Sequence, residues 1–122
     1  MKVLIVDDEK NVQRLFEQRF RKERRNGLIE LHFAFSGQEA LDFLAQGGDK
    51  GLALILSDIN MPEMSGLELL QIVRQDYPSL MVVMITAYGD AQNQERAMKL
   101  GASDYLVKPI DFKILKERVI TN

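Results

Sequence analysis

Cysteine is absent from this chain of 122 residues, and histidine occurs once, at His32. Without cysteine there is no disulfide framework, thiolate zinc site, iron–sulfur cluster or cysteine nucleophile. A single histidine argues against His-rich metal sites and against a Ser–His–Asp triad. Thiol chemistry and the metal sites that depend on thiolate or clustered imidazole ligands are therefore excluded.

Long apolar runs and a strong charge of one sign are also missing. No run approaches the ~20 residues of a membrane-spanning helix. Met1 and Lys2 lead directly into a strand-like segment, which is not the pattern of a signal peptide. The net charge is −2, so no basic field over the whole molecule attracts nucleic acid. We expect a cytoplasmic domain that contacts neither membrane nor nucleic acid directly.

The length and composition are those of one compact domain. Single domains peak at roughly 100–150 residues. Hydrophobic residues make up 46% and charged residues 28% of the chain, an ordinary globular composition. We expect residues 1–122 to form one domain without a linker.

Short apolar segments predict five strands. Residues 3–6, 52–56 and 80–85 are continuous apolar runs rich in β-branched side chains, as in strands buried on both faces of a parallel sheet. Residues 29–35 alternate between apolar and mostly polar side chains, and residues 105–107 form a shorter run. We expect these last two segments to lie at the edges of the sheet.

Helical periodicity fills the intervals between the strands. Ser36 and Ser65 each begin a capping box, and the helix between Asp90 and Gly101 has a thin apolar face. The helical side chains expected to face the core are Val12, Leu15, Phe16, Phe20, Ala40, Leu41, Leu44, Leu69, Leu70, Val73, Ala97, Met98, Leu100, Phe112, Leu115 and Val119. The alternation predicts a doubly wound α/β fold of the flavodoxin-like kind, with parallel strands in the order 2-1-3-4-5 and helices on both faces.

Polar residues follow the strands at one edge of this predicted sheet. Asp7 and Asp8 follow the first strand, Asp58 follows the third, Thr86 the fourth and Lys108 the fifth. In doubly wound sheets, ligands bind in the crevice outside the carboxyl ends of the strands. We therefore expect three carboxylates, a hydroxyl and an ammonium group to converge there.

The carboxylates predict a cation site. One aspartate after a strand is often a helix cap, but three that lie close together repel and raise one another's pKa. A set of oxygen ligands favours Mg²⁺ or Mn²⁺ over Zn²⁺, and Mg²⁺ is usually completed by phosphate oxygens. Lys108 and Thr86 suit contacts to such oxygens, and an aspartate can act as the nucleophile that forms an aspartyl-phosphate.

Several short segments resemble the motifs of one known family. They are Val-Asp-Asp-Glu at 6–9, Ser-Asp-Ile-Asn-Met-Pro at 57–62 with Gly66, Ile-Thr-Ala at 85–87, and Asp-Tyr-Leu-Val-Lys-Pro at 104–109. Each segment alone is a weak signal, but in this order they resemble the receiver domain of bacterial two-component response regulators from end to end. Among these, the chain is similar to the single receiver of the chemotaxis-regulator kind.

The resemblance implies chemical roles for the matching residues. Asp58 is expected to be the phosphoacceptor, and Asp7, Asp8 and Asp58 are expected to bind the metal together with the backbone carbonyl of Asn60. Lys108 is expected to grip the phosphoryl group, and the family usually has a cis peptide bond where Lys108 precedes Pro109. The implied cofactor is Mg²⁺ or Mn²⁺.

The resemblance also implies a switch and its partners. Thr86 is expected to grip the phosphoryl group and to move with Tyr105. The phosphodonor is expected to be a histidine kinase or a histidine phosphotransfer protein. The output face is expected on the helix after the fourth strand, the fifth strand and the last helix, around Lys99, Tyr105 and Lys116. An effector, or a second copy in a phosphorylation-dependent dimer, is expected to bind there.

The residues leave other functions open. A phosphatase of the haloacid-dehalogenase type also uses aspartate and Mg²⁺, but places a second aspartate where this chain has Glu9. A flavodoxin-like FMN binder needs a neutral loop in place of Asp7, Asp8 and Glu9, and a phosphorylation-independent scaffold needs an inert metal site. The resemblance implies a switch that catalyses only its own phosphorylation and dephosphorylation.

Tyr88 is either a surface residue without a functional role or a modulator of water access to Asp58.

Overall fold

A five-stranded parallel sheet forms the centre of the computed structural model, which describes residues 1–120 without the side chains of residues 119 and 120. The strands are β1 (Lys2–Val6), β2 (Glu30–Ala34), β3 (Leu52–Asp58), β4 (Val82–Thr86) and β5 (Asp104–Val107). Their order is β2-β1-β3-β4-β5, which confirms the predicted topology and both edge strands. Val119, predicted to be buried, lies outside the described side chains.

Helices cover both faces of the sheet. They are α1 (Asn11–Arg19), α2 (Arg21–Arg25), α3 (Gly37–Phe43), α4 (Gly66–Asp76), α5 (Ala91–Lys99) and α6 (Phe112–Leu115). Helix α3 runs on into a turn at Leu44–Gly48 that is kinked at Gly47, where φ is 95°, and α6 runs on into a π-helical turn at Lys116–Ile120. Within residues 1–120, no helix is both long and apolar enough to span a bilayer.

The predicted serine caps are present at two helix starts. Ser36 Oγ accepts a hydrogen bond from the backbone N–H of Glu39 at 3.0 Å, and Ser65 Oγ accepts one from Glu68 at 3.2 Å. At Ser65 the capping box is complete. At Ser36 the Glu39 carboxylate instead accepts from the backbone N–H of Phe35 at 3.0 Å. These contacts fix where α3 and α4 begin, directly after the loops at the carboxyl edge of the sheet.

The core has two layers, one on each face of the sheet. Alternate side chains of one strand enter different layers, as Leu4 and Ile5 of β1 do. The first layer lies beneath α3, α4 and α5, and the second lies beneath α1 and α6, where the rings of Phe16 and Phe112 meet edge to face at 5.1 Å. Burial on both faces explains why the central strands are continuous apolar runs.

Two side chains predicted to face the core are exposed. Leu15 in α1 is 38% exposed, because the helix packs through Phe16 and Phe20 against Phe112 and leaves Leu15 at the side of that contact. Met98 in α5 is 43% exposed, whereas Ala97 is fully buried. Successive helical residues point about 100° apart, so a helix that rests on Ala97 turns Met98 outward.

Candidate functional site

The predicted functional residues meet at the carboxyl edge of the sheet. Asp58 is the last residue of β3 and Thr86 the last of β4, while Asp7 and Lys108 directly follow β1 and β5. The side chains of Asp7, Asp58 and Thr86 are buried, and Asp8 is exposed. The sheet order places β1, β3, β4 and β5 side by side, so the convergence follows from the topology.

Three carboxylates form a compact acidic cluster. Oxygen atoms of Asp7, Asp8 and Asp58 all lie within 4.8 Å of one another. Burial, and to a smaller extent the charge of Asp58, raises the pKa of Asp7, although the Glu9 backbone N–H donates to its carboxylate at 2.9 Å and opposes the shift. Concentrated negative charge in a buried position is therefore a physical property of this cluster.

The alternative role of Asp8 as a helix cap is not what the structure shows. Helix α1 begins at Asn11, the residue before it is Lys10, and no side chain caps this end. Asp8 is instead held beside Asp7 and Asp58.

Lys108 supplies positive charge to the cluster. Its Nζ donates a hydrogen bond to Asp58 Oδ2 at 2.6 Å. Burial alone would lower the pKa of Lys108, but the hydrogen bond to Asp58 and the charges of Asp58 and Asp7 outweigh it and raise that pKa. The Lys108–Pro109 peptide bond is cis, as predicted.

The other oxygen of Asp58 is held by the loop that follows β3. The backbone N–H of Asn60 donates to Asp58 Oδ1 at 3.1 Å. The Gly66 N–H donates to the carbonyl of Ile59 at 2.8 Å, and the loop returns closely onto the start of α4 because glycine has no Cβ atom to meet the Asp58 carbonyl. Both carboxylate oxygens of Asp58 thus have fixed partners, while a role of the Asn60 carbonyl in metal binding stays a prediction.

The Thr86 hydroxyl has two partners. It donates to the backbone carbonyl of Ala87 at 3.4 Å and accepts from Nε2 of Gln94 in α5 at 3.3 Å. Sequence reasoning missed Gln94. The available signal was its helical spacing, because Gln94 lies three residues before the buried Ala97 and so shares its side of α5.

Tyr105 and Lys99 lie together, as predicted for the output face. They line an open cleft of about 550 Å³ with Ala91, Gln94, Glu95 and Met98. Tyr105 is partly buried and packs against the layer of the core beneath α5. Helix α5 and strand β5 therefore form one continuous surface beside Thr86.

The placement of Lys116 on this output face is wrong. Its Nζ pairs with the Glu23 carboxylate at 2.8 Å and donates to the Arg19 carbonyl at 3.0 Å, so the side chain lies against α1 and α2. Beside β5 the last helix instead presents Ile114 and Arg118, and Nη2 of Arg118 donates to both carboxylate oxygens of Asp104 at 2.6 and 2.7 Å. The helical phase, which residue types alone leave open, decides which basic residue faces β5.

The acidic cluster fits a hard divalent cation. All of its ligand atoms are carboxylate oxygens, which Mg²⁺ and Mn²⁺ accept. Burial is the main cause that raises the pKa of Asp7, and repulsion by the charge of Asp58 adds to it even with Lys108 beside Asp58. A small cation held by Asp7, Asp8 and Asp58 would relieve that repulsion.

Comparison with known proteins identifies the family. The family model of the response regulator receiver domain matches residues 3–120 of this chain. The chain is 38% identical to the response regulator protein PilR of Pseudomonas aeruginosa over 98% of its own length, but spans only 25% of that protein. It is 34% identical to a chemotaxis protein CheY homolog of Campylobacter jejuni, covering 98% of this chain and 89% of the homolog.

Solved structures agree with these relatives. A response regulator receiver domain protein from Clostridium thermocellum superposes with a TM-score of 0.83 at 28% identity, covering 95% of this chain and 88% of that one. The receiver domain of Ssk1 from Saccharomyces cerevisiae, crystallised with the histidine phosphotransfer protein Ypd1, gives a TM-score of 0.83 at 27% identity, covering 98% and 86%. The fold, the clustered site residues and these matches agree, and the chain belongs to the response regulator receiver domain family, whose members are phosphorylation-dependent signalling switches of two-component systems.

Proposed function

We propose that Asp58 accepts a phosphoryl group from a phosphohistidine of a sensor kinase or a histidine phosphotransfer protein. The observation that carries this proposal is the setting of the Asp58 carboxylate. It is buried at the end of β3, one oxygen is bonded to Lys108 and the other to the Asn60 backbone, and two further carboxylates lie beside it. The surroundings orient an attacking oxygen and supply charge for an incoming phosphoryl group.

The proposed step is an in-line phosphoryl transfer. A carboxylate oxygen of Asp58 forms a new P–O bond, the P–N bond of the phosphohistidine breaks, and the departing imidazole takes up a proton. Lys108, which donates a hydrogen bond to Asp58 in the structure, neutralises negative charge on the oxygens of the transferred phosphoryl group. The Thr86 hydroxyl donates a hydrogen bond to one of them after releasing the carbonyl of Ala87.

The proposed cofactor is Mg²⁺ or Mn²⁺, held by Asp7, Asp8 and Asp58 with the carbonyl of Asn60. When bound, the cation supplies the positive charge that lets carboxylates and phosphoryl oxygens approach each other. The chain then catalyses only its own phosphorylation and the later hydrolysis of the aspartyl-phosphate.

The proposed partners follow from the family. Support for the donor comes from the Ssk1 receiver domain, which was crystallised with a histidine phosphotransfer protein. The effector, or a second copy bound after phosphorylation, is proposed to dock on α5, β5 and the Ile114 and Arg118 side of the last helix.

Incubation with acetyl phosphate and Mg²⁺, followed by intact-mass spectrometry, tests the function. We expect addition of one phosphoryl group to the wild-type chain and none to Asp58→Asn. Asp42→Asn, which changes an exposed aspartate of α3, is the matched control and should be labelled like the wild type. Chelation of the divalent cation should also prevent labelling. Labelling of Asp58→Asn at the wild-type rate would refute the assignment.

A further inference from the structure

Gln94 contacts Thr86, the residue through which phosphorylation is proposed to be sensed. Its side-chain amide donates to the Thr86 hydroxyl oxygen at 3.3 Å. Thr86 is fully buried, and Gln94 is partly buried between Thr86 and the cleft beside Tyr105. Gln94 is a further polar contact to this hydroxyl, and it comes from a different element, α5.

The hydroxyl proton of Thr86 is already engaged in a hydrogen bond. A hydroxyl donates a single hydrogen bond, and here that proton is directed to the carbonyl of Ala87 at 3.4 Å. While Gln94 donates to the hydroxyl oxygen, this orientation is favoured. A Thr86 hydroxyl that donates to a phosphoryl oxygen must release the carbonyl of Ala87, and any shift of its oxygen toward Asp58 lengthens the contact from Gln94.

The backbone at Gln94 is well fixed at the start of α5. The Asp90 side chain caps the helix by accepting from the Asn93 backbone N–H at 3.3 Å and from the Asn93 side chain at 2.8 Å. The Gln94 N–H donates to the Asp90 carbonyl at 3.1 Å. Because the first turn is held in this way, movement of Thr86 must break the contact to Gln94 or displace α5.

We propose that Gln94 is a positioning residue that holds Thr86 in its resting orientation and links Thr86 directly to α5. It acts as a restraint on activation, separate from the movement of Tyr105. This inference rests on the proposed function, because it assumes that Thr86 engages a phosphoryl group on Asp58.

Removal of the Gln94 amide should favour the activated state. In Gln94→Met the side chain keeps its length but loses the donor, so only the resting state loses a hydrogen bond. A weak neutral hydrogen bond corresponds to a shift of about two- to fivefold in the equilibrium. We expect Gln94→Met to bind beryllofluoride with Mg²⁺ about two- to fivefold more tightly, measured by titration of backbone amide NMR signals.

A variant of the opposite kind and a surface control sharpen the test. In Gln94→Glu the carboxylate accepts a hydrogen bond from the Thr86 hydroxyl and so competes with the phosphoryl group for this donor. Beryllofluoride should therefore bind more weakly to Gln94→Glu than to the wild type. Gln92→Met makes the same change at an exposed position of α5 and should leave the affinity unchanged.

A double-mutant cycle with Thr86→Val decides whether Gln94 acts through Thr86. Valine keeps the shape of threonine and removes the hydroxyl, so Gln94→Met should then have no effect on beryllofluoride affinity. An unchanged affinity of Gln94→Met in the wild-type background overturns the proposal, and so does an effect that persists in the Thr86→Val background. If the wild-type chain neither binds beryllofluoride nor accepts phosphate on Asp58, the proposed function fails instead.

Discussion

At the scale of single residues, the site balances buried negative charge against one nearby ammonium group. Asp58 and Asp7 are buried, Lys108 lies 2.6 Å from Asp58, and the pKa of Asp7 remains raised by burial and by the charge of Asp58. Burying charged groups costs free energy unless they are paired. A cation of the kind proposed above, held by Asp7, Asp8 and Asp58, would lower this cost.

Tyr88 is the residue for which hydrolysis of the aspartyl-phosphate gives the clearest test. It lies two positions after Thr86, and its side chain is 89% exposed. If its ring screens Asp58 from water, Tyr88→Ala should lose the phosphoryl group faster than the wild type. The decay of the phosphorylated mass after removal of the donor gives this rate.

The Tyr88 experiment has an internal control. Tyr88→Phe keeps the bulk of the ring and removes the hydroxyl, so it should decay at the wild-type rate if the effect is steric. Substitution at such an exposed position should change the free energy of unfolding by no more than about 0.5 kcal/mol. Equal or slower decay of Tyr88→Ala contradicts steric shielding.

At the scale of secondary-structure elements, the loop between β3 and α4 is built on close backbone packing. A Cβ atom at Gly66 would lie 2.1 Å from the Asp58 carbonyl oxygen and 2.8 Å from the Ile59 Cα. The same loop carries the Asn60 N–H that holds Asp58. A shift at the start of α4 therefore also moves Asp58.

Gly66→Ala should destabilise the protein and disturb Asp58. Overpacking of this kind costs about 1–3 kcal/mol, and here the neighbour is backbone that cannot rotate away. We expect the free energy of unfolding to fall by about that amount in urea denaturation. Labelling by acetyl phosphate should also slow, because the Asp58 carbonyl must shift.

Gly37→Ala is the matched control for Gly66→Ala. Gly37 is likewise buried and is the first residue of a serine-capped helix, but a Cβ there meets the flexible side chain of Met64, with Sδ at 2.5 Å. Met64 can move aside, so the loss of stability should be smaller and labelling of Asp58 should be unaffected. Equal losses in both variants would show that the backbone contact at Gly66 is not the cause.

At the scale of the whole molecule, the last helix and α5 are anchored differently. Lys116 ties the last helix to α1 and α2 through Glu23 and the Arg19 carbonyl, and the rings of Phe16, Phe20 and Phe112 pack beneath them. Helix α5 has only Ala97 fully buried among its own residues. Elements with little buried surface are the ones that move in a switch.

Phosphorylation should therefore change α5 and β5 more than α1. We expect beryllofluoride with Mg²⁺ to alter amide hydrogen exchange across residues 86–118 as well as in the Asp58 loop. The physical reason is a population shift between two states, which requires only a few kcal/mol of differential stabilisation. Thr86→Ala should still accept phosphate on Asp58 and should lose the distant part of this response.

Amide exchange measured with and without beryllofluoride separates effects near Asp58 from effects in distant elements. Exchange in α1 serves as the reference, because α1 packs with α6 on the face of the sheet opposite to α5. Changes confined to the loop after β3 would contradict the proposed route through Thr86. A full distant response in Thr86→Ala would show that another residue carries the signal.

Much of the fold could be read from residue patterns. The continuous apolar strands, the serine caps at Ser36 and Ser65 and the strand-terminal positions of Asp7, Asp58 and Thr86 are local properties that the structure confirms. The misses concern direction within a helix. The residue pattern predicts buried positions for Leu15 and Met98 and a position beside β5 for Lys116. The helices instead turn Leu15 and Met98 toward solvent and Lys116 toward Glu23.

The order of the strands, the carboxylates that follow them and the family of the chain follow from the pattern of residues alone. Alternation of strand and helix permits few topologies, and parallel strands must end at one edge. The helical phase, the pairing of Lys116 with Glu23 and the contact of Gln94 with Thr86 become visible only in the folded structure. These depend on how helices roll on the sheet, which is set by the summed packing of distant side chains and not by any local pattern.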